Sequence, residues 1–401
     1  MKTMASRIYF DNAATTPVEP RVAAAMQPYY ESQWGNPSSL YVEGRQARAA
    51  VDRARKQVAD LLGAEPAEIV FTSSGTEANN TALFGVVANA AAKGRGTPHV
   101  VVSAIEHPAV LTVCAQLSRN GVAVTSLPVN KDGIVDPASL EKAIQPNTCL
   151  VSVMAANNIV GTIQPIVELA KIAHQHGALF HTDAVQAVGK LPFDLRVQPI
   201  DLLSLSAHKF NGPKGVGALF VRRGVDVQPL IFGGGQEGGF RSGTENVPGI
   251  VGLGVAAEIA RTEMSEVSAR LVSIRDSIID GTMARIGNAY LLGDRYRRLP
   301  GYVCFGFDGQ EGEAIKLLME LDEAGFAVSS GSACSSSHVG QPSHVLEAMG
   351  FDAFKARGSL RITLGRFNTQ AEADRLLDIL PKAVASLRSI RTYPGATAAA
   401  G

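Results

Sequence analysis

Short apolar runs alternate with helical repeats over roughly the first 220 residues. The run "EIVFT" (68–72) precedes a helical segment that starts near Thr76. "HVVVSA" (99–104) precedes "HPAVLTVCAQLSRNG", and "CLVSVMA" (149–155) precedes "PIVELAKIAHQHG". "ALFHTDA", "DLLSLSAH" and "GVGALFV" come next. Runs this short, β-branched and apolar on both alternating faces, are strands buried on both sides. Helices between them predict a mostly parallel sheet covered above and below. Between residues 41 and 62, Ala47, Ala50, Val51, Ala54, Val58, Leu61 and Leu62 recur every three or four positions, the spacing of one buried helix face.

Near residue 250 the pattern changes. A long helical stretch runs from Ile250 to Gly287. It is followed by the strand "GYVCFGF", the helix "GEAIKLLMELDEAG", the strand "GSLRITLG" and a last helix from about residue 370. This mixture predicts a smaller α+β unit beside the large α/β one.

Charge narrows the function classes. The 401 residues carry 37 Lys plus Arg and 37 Asp plus Glu, a formal net charge of zero. No basic excess points to nucleic acid or to an anionic membrane. No apolar run reaches the ~18 residues of a membrane span, and "MKTMASRIYF" has neither a signal-peptide core nor the composition of a transit peptide. The four cysteines form no C-x-x-C pair, so neither a metal site nor a disulfide framework is expected, and a reducing, cytoplasmic setting fits. Cys114, Cys149 and Cys304 sit in apolar surroundings, where cysteine acts as a small inert hydrophobe. Cys334 differs. It lies in "SSGSACSSSHVG", a bed of glycine, serine and alanine with little to bury it.

Several segments carry chemistry. In "SLSAHKFNGPKGVGALFV", Lys209 closes a buried strand, where an amine is costly unless needed. One need is a Schiff base with an aldehyde; the other reading is a lysine marking the strand's exposed end. Lys214, inside "GPKG", is expected to face solvent. "FTSSGTEANN" reads as strand, Ser/Gly/Thr loop and helix start, with Thr76 as N-cap and free N–H groups suited to phosphate. It lacks the G-K-[ST] of a nucleotide loop. "HTDAVQAVGK" ends a strand with His181, Asp183 and Gln186, where α/β proteins place ligands. Asp183 either pairs with a protonated heterocyclic nitrogen or caps a helix. His107 follows another strand, as a catalyst or a satisfied bystander. Arg361 lies inside an apolar strand and needs a carboxylate, from the protein or from a substrate.

A strand-end lysine, a strand-end aspartate, a phosphate-type helix start, a loop histidine and a buried arginine together fit pyridoxal phosphate. The motifs "DNAATT", "GNPSSL", "FTSSGTEANN", "EHPAVL", "HTDAVQAVGK", "SAHKFNGPKGVG", "RSGTEN", "SSGSACSS", "PSHVLEAMG" and "SLRITLG" follow one another through nearly the whole chain. In them the chain resembles the cysteine desulfurases of the NifS/IscS family, in the class V aminotransferase-like group.

The resemblance implies the aspartate aminotransferase-like fold of pyridoxal phosphate-dependent transferases. A large domain at 16–262 would hold a mostly parallel seven-stranded sheet. A small domain, 1–15 with 263–401, would carry the mobile cysteine loop. Lys209 would hold the cofactor in Schiff-base linkage, Asp183 would pair with the ring nitrogen, Gln186 would contact the ring hydroxyl oxygen and His107 would stack on the ring. Gly75, Thr76, Ser206 and His208 would take the phosphate, with Thr244 reaching it from the partner subunit of a homodimer. Arg361, Asn36 and Asn158 would hold the substrate carboxylate. L-cysteine would become L-alanine. The freed Lys209 would move the Cα proton, and Cys334 would take the sulfur as a persulfide and carry it to an iron–sulfur scaffold protein or other acceptor. His338, four residues beyond, is a candidate helper. Two departures stand out. Ile159 replaces an acid that many relatives carry, which changes the polar contacts near Asn158. Gly238 replaces an arginine, which implies a looser loop. The rival readings are a selenocysteine or cysteine-sulfinate lyase of the same fold, an aminotransferase, which has no use for Cys334, and a non-catalytic partner in sulfur delivery.

Overall fold

The computed structural model describes residues 7–391 apart from 95, 312 and 332–340. Cys334 and His338 lie outside the described residues.

The chain opens with a short strand, β1 (Ile8–Tyr9). Seven strands follow: β2 (Ile69–Thr72), β3 (His99–Ser103), β4 (Ala123–Leu127), β5 (Thr148–Ser152), β6 (Leu179–Asp183), β7 (Leu202–Ser206) and β8 (Gly217–Val221). They form one sheet in the order β2-β8-β7-β6-β5-β3-β4. Only β8 runs against its neighbours. The fold is therefore the large, mostly parallel α/β sheet that the apolar runs predict. β4 escapes the sequence reading because it is an edge strand, half-covered rather than apolar throughout.

Helices cover both faces. The predicted helix is Val42–Leu62, and the residues of its predicted face are all buried. Val51 and Val58 have no exposed surface, so each contributes about 1.5–3 kcal/mol through burial. They pack in the core shared by the long helix Val247–Arg285.

The remaining strands are β9 (Ala289–Leu291), β10 (Tyr302–Phe307), β11 (Phe326–Ala327) and β12 (Leu360–Thr363). β12, β10 and β9 make an antiparallel sheet with its own core of Phe305, Phe307, Ile362 and the final helix Gln370–Arg391. β1 pairs in parallel with β11, and Asp11 bridges to Thr363. Residues 8–11 thus join β11 and β12, and the chain then crosses to the large sheet.

Candidate active site

β2, β3, β5, β6 and β7 run in the same direction, so their C-terminal ends emerge at one edge of the sheet. The loops leaving them enclose a cleft of about 620 Å³, its mouth included. That edge is where open α/β sheets bind ligands. Nine residues singled out in the sequence line it: Gly75, Thr76, His107, Asn158, Asp183, Gln186, Ser206, His208 and Lys209.

The helix after β2 starts at Gly75, and its N-cap is Ser74, not Thr76. Ser74 has the extended backbone a cap needs, and its Oγ accepts from the Glu77 N–H at 3.1 Å. Thr76 is already inside the first turn, with its side chain exposed at the cleft. Gly75 is required by space: a Cβ there would lie 2.5 Å from Val185 Cγ2. Ser74 takes the Glu77 N–H, which leaves those of Gly75 and Thr76, both cleft residues, as the first-turn donors nearest the cleft.

Asp183 is the last residue of β6. Its Oδ2 accepts from Asn79 Nδ2 at 2.7 Å and its Oδ1 from the Val185 N–H at 2.9 Å. These donors fix the carboxylate at the cleft wall. Lys209 sits in the turn after β7, and its Nζ donates to the carbonyls of Ala13 (2.6 Å) and Ala14 (2.8 Å). The segment "DNAATT" thereby meets the lysine.

Both cleft histidines are held neutral. Burial pushes His208 down to about 4, helped by the charges of Lys209, Lys214 and Lys190. Burial also lowers His107; Asp183 opposes this, while Lys209 and His344 add to it. His107 caps the helix Pro108–Arg119, its Nδ1 accepting from the Ala109 N–H at 3.1 Å, so the ring is anchored as a flat neutral plate.

Arg361, fully inside β12, finds its carboxylate within the protein: Nη2 donates to Asp11 Oδ1 at 2.8 Å. Its Nη1 donates to the carbonyl of Asn158, a cleft residue, at 3.1 Å. Ser329 pairs with Arg361 through both backbone bonds, and Gly331 N–H donates to Ser359 Oγ at 3.0 Å. The described end of the Cys334 segment is therefore fastened beside Arg361. Asn36 and Thr244 are exposed and do not line the cleft of their own chain.

Residues 8–376 match the class V aminotransferase family. The chain belongs to that family. Among its relatives, it is 47% identical over 390 residues to "Cysteine desulfurase IscS" of Dictyoglomus turgidum, covering 97% of this chain and 98% of that one. It is 49% identical over 395 residues to "Cysteine desulfurase" of Gluconacetobacter diazotrophicus, covering 98% and 97%. The solved structure of a "NifS-like protein" superposes with a TM-score of 0.87 at 40% identity, over 95% of this chain and all of that one. Within the class V aminotransferases, the chain groups with the cysteine desulfurases.

Against that family background, both departures have a structural account. Ile159 is buried with Ile105, Met154 and Leu346, an apolar cluster in which an isoleucine packs without polar partners for its side chain. The loop expected to be loose at Gly238 is pinned by its neighbour. Glu237, at φ 51°, forms a double ion pair with Arg55 (2.7 Å twice) and accepts from the Phe71 N–H at 2.8 Å. Arg241 of "RSGTEN" is tied to Glu77 at 2.9 Å. Among the described residues, no cluster of His, Cys, Asp and Glu could hold a metal ion, and no helix is long and apolar enough to cross a membrane.

Sequence reasoning passed over Asn79, Asp11, Tyr302 and Glu106. The first three act through partners over 100 positions away, which no local pattern reveals. Glu106 had a signal, an acid in an apolar strand end. It is fully buried, and its Oε1 accepts from Ser103 Oγ (2.5 Å) and the Met154 N–H (2.7 Å). Desolvation raises its pKa to about 8, and the nearby Asp183 adds to this. A raised carboxyl pKa means the folded state binds a proton that the unfolded state has released. Its stabilising contribution is complete below the unfolded pKa of about 4.3 and declines as pH rises toward about 8. Glu106→Gln keeps the acceptor and removes the titration. Its melting temperature relative to the parent is expected to rise from pH 5 to pH 8; a flat difference across that range would contradict a protonated Glu106.

Proposed function

We propose that this chain is a cysteine desulfurase that carries pyridoxal phosphate on Lys209, converts L-cysteine to L-alanine, and passes the sulfur from a persulfide on Cys334 to an iron–sulfur scaffold protein or another sulfur carrier. The observation that carries the reading is one cleft holding the Lys209 amine, the Asp183 carboxylate and the Gly75 helix start together.

The donor set fits the cofactor. A phosphate would meet the N–H groups of the helix start, the hydroxyls of Thr76 and Ser206, and His208. The Asp183 carboxylate, oriented by Asn79 and Val185, suits a protonated ring nitrogen. His107 offers a neutral ring face, and Gln186 an amide. When bound, the cofactor supplies an electron sink that lets the Cα–H and Cβ–S bonds of the amino acid be broken.

This chain's own groups do the rest. Lys209 Nζ takes and returns the proton at the substrate Cα. Arg361, which does not line the cleft and is held by Asp11, would exchange that partner for the substrate carboxylate, with Asn158, which does line it, assisting. Asn36 would assist them at the rim. The Cys334 thiolate takes the sulfur. The reaction balances without an external oxidant: cysteine plus thiol gives alanine plus persulfide.

A homodimer completes the reading. Thr244 would serve the partner's cleft. Trp34, Leu40 and Phe232 are 71%, 88% and 78% exposed, large apolar side chains suited to a subunit interface. We place the domain division at 16–262 against 1–15 with 263–401, and the enzyme in a reducing cytoplasm that keeps Cys334 free.

The test uses the purified protein loaded with pyridoxal phosphate. Borohydride reduction and peptide mapping are expected to find the cofactor on Lys209, and alanine is expected to form from L-cysteine with a thiol reductant. Attachment at Lys214 or Lys190, or no alanine, would overturn the reading.

A further inference from the structure

Gln186 is a cleft residue whose side-chain amide has two different ends. Its orientation decides whether a donor or an acceptor faces the ligand. Two contacts set it. Gln186 Nε2 donates one hydrogen to the Ala13 carbonyl at 3.0 Å. Gln186 Oε1 accepts from the hydroxyl of Tyr302.

Tyr302 is unusually placed for this. It opens β10 in the smaller sheet, yet its ring packs in the core of the large sheet's layer and has no exposed surface. Its seat depends on Gly161, at φ 78°, where a Cβ would lie 2.6 Å from Tyr302 Cβ. The Lys190 amine lies 5.9 Å from the ring centroid and donates to the carbonyls of Gln186 and Lys209, both at 3.0 Å. Burial raises the Tyr302 pKa, so the hydroxyl keeps its proton and can only donate to a carbonyl oxygen. With Oε1 engaged and one amide hydrogen given to Ala13, the remaining N–H of Gln186 is left for the cleft.

We infer that Tyr302 is a positioning residue: by holding Gln186 Oε1 it turns the amide N–H toward the ring oxygen of the cofactor and so tunes the protonation of the chromophore on Lys209. The inference rests on the proposal that pyridoxal phosphate is bound there. A donor to that oxygen stabilises its negative charge and lowers the proton affinity of the neighbouring nitrogen. Removing the tyrosine hydroxyl leaves Oε1 buried without its donor. The amide is then expected to shift to recover one, and the contact to the ring oxygen weakens.

The test is a spectrophotometric pH titration of the cofactor-loaded protein. In Tyr302→Phe the chromophore midpoint is expected to rise by roughly half to one unit. The same substitution in a Gln186→Ala background is expected to produce no further rise, because the tyrosine acts through the glutamine. A merely structural tyrosine would lower the melting temperature and leave the midpoint alone. An unchanged midpoint in Tyr302→Phe overturns the inference, as does an equal rise in both backgrounds. A parent protein that forms no chromophore on Lys209 overturns the cofactor reading and this inference with it, and shows itself before any variant is made.

Discussion

Cys334→Ser is expected to keep the cofactor spectrum and to lose alanine formation from L-cysteine by on the order of 10³-fold or more. The thiolate is the species that attacks sulfur, and a free thiol with pKa near 8.5 supplies a few per cent of it at neutral pH. A serine hydroxyl supplies essentially none. No other cysteine can stand in. Burial pushes Cys114 and Cys304 up to about 12 and Cys149 to about 11. Their thiols remain protonated, and none of the three lines the cleft. Replacing each of them by serine is therefore expected to leave the rate within a few-fold of the parent, which makes them internal controls. Alanine is measured under single-turnover conditions with cofactor absorbance recorded on the same sample. If Cys334→Ser keeps its rate, sulfur departs without that thiol, and the chain acts as a selenocysteine or sulfinate type of lyase.

Lys209→Ala is expected to reduce turnover by about 10²–10⁴-fold, the range for losing a positioned proton-transfer group. The loss has two parts, since the variant also lacks the amine that attaches the cofactor. Pyridoxal phosphate should still associate through the helix start and Asp183, but borohydride should no longer fix it to the protein. Lys190, whose amine donates to the Lys209 carbonyl, is a potential substitute, and burial lowers its pKa to about 7, with the charge of Lys209 adding to the effect. Its Nζ is committed to two backbone carbonyls, and it does not line the cleft that Lys209 enters. Rescue from that side is not expected. A variant that retained both turnover and borohydride-stable attachment would move the catalytic amine to another residue.

Much of this site was legible because its members stand at strand ends. A buried strand is recognisable from its own residues, and the polar group that closes it is recognisable by contrast. Asp183, Lys209 and His107 follow that logic, whereas Ser206 entered only through the family resemblance. What stayed hidden depends on distant partners or on small differences in backbone angle. Ser74 and Thr76 are both good caps by composition, and only the extended backbone of Ser74 decides between them. Arg361 announced the need for a carboxylate, but Asp11 is 350 positions away. Tyr302 looked like one more apolar residue in a strand, and its hydroxyl gains meaning only through Gln186, 116 positions away. Asn36 and Thr244 were singled out only through family resemblance, and both are exposed and outside the cleft of their own chain.

The pairing of residues 8–13 with the far end of the sequence bears on how the protein is made. Ile8 and Tyr9 pair with Phe326 and Ala327, Asp11 waits for Arg361, and Ala13 N–H is accepted by Thr363 Oγ1. On a ribosome adding roughly 5–20 residues per second, residues 8–13 stand without these partners for about a quarter of a minute to a minute. The large sheet can form in that interval, but the carbonyls of Ala13 and Ala14 that hold Lys209 belong to a segment still seeking its place. Cofactor capture is therefore expected to be a late event in biosynthesis, after the final strand has emerged. A nascent chain arrested before β12 would be folded in its larger part and yet slow to retain the cofactor.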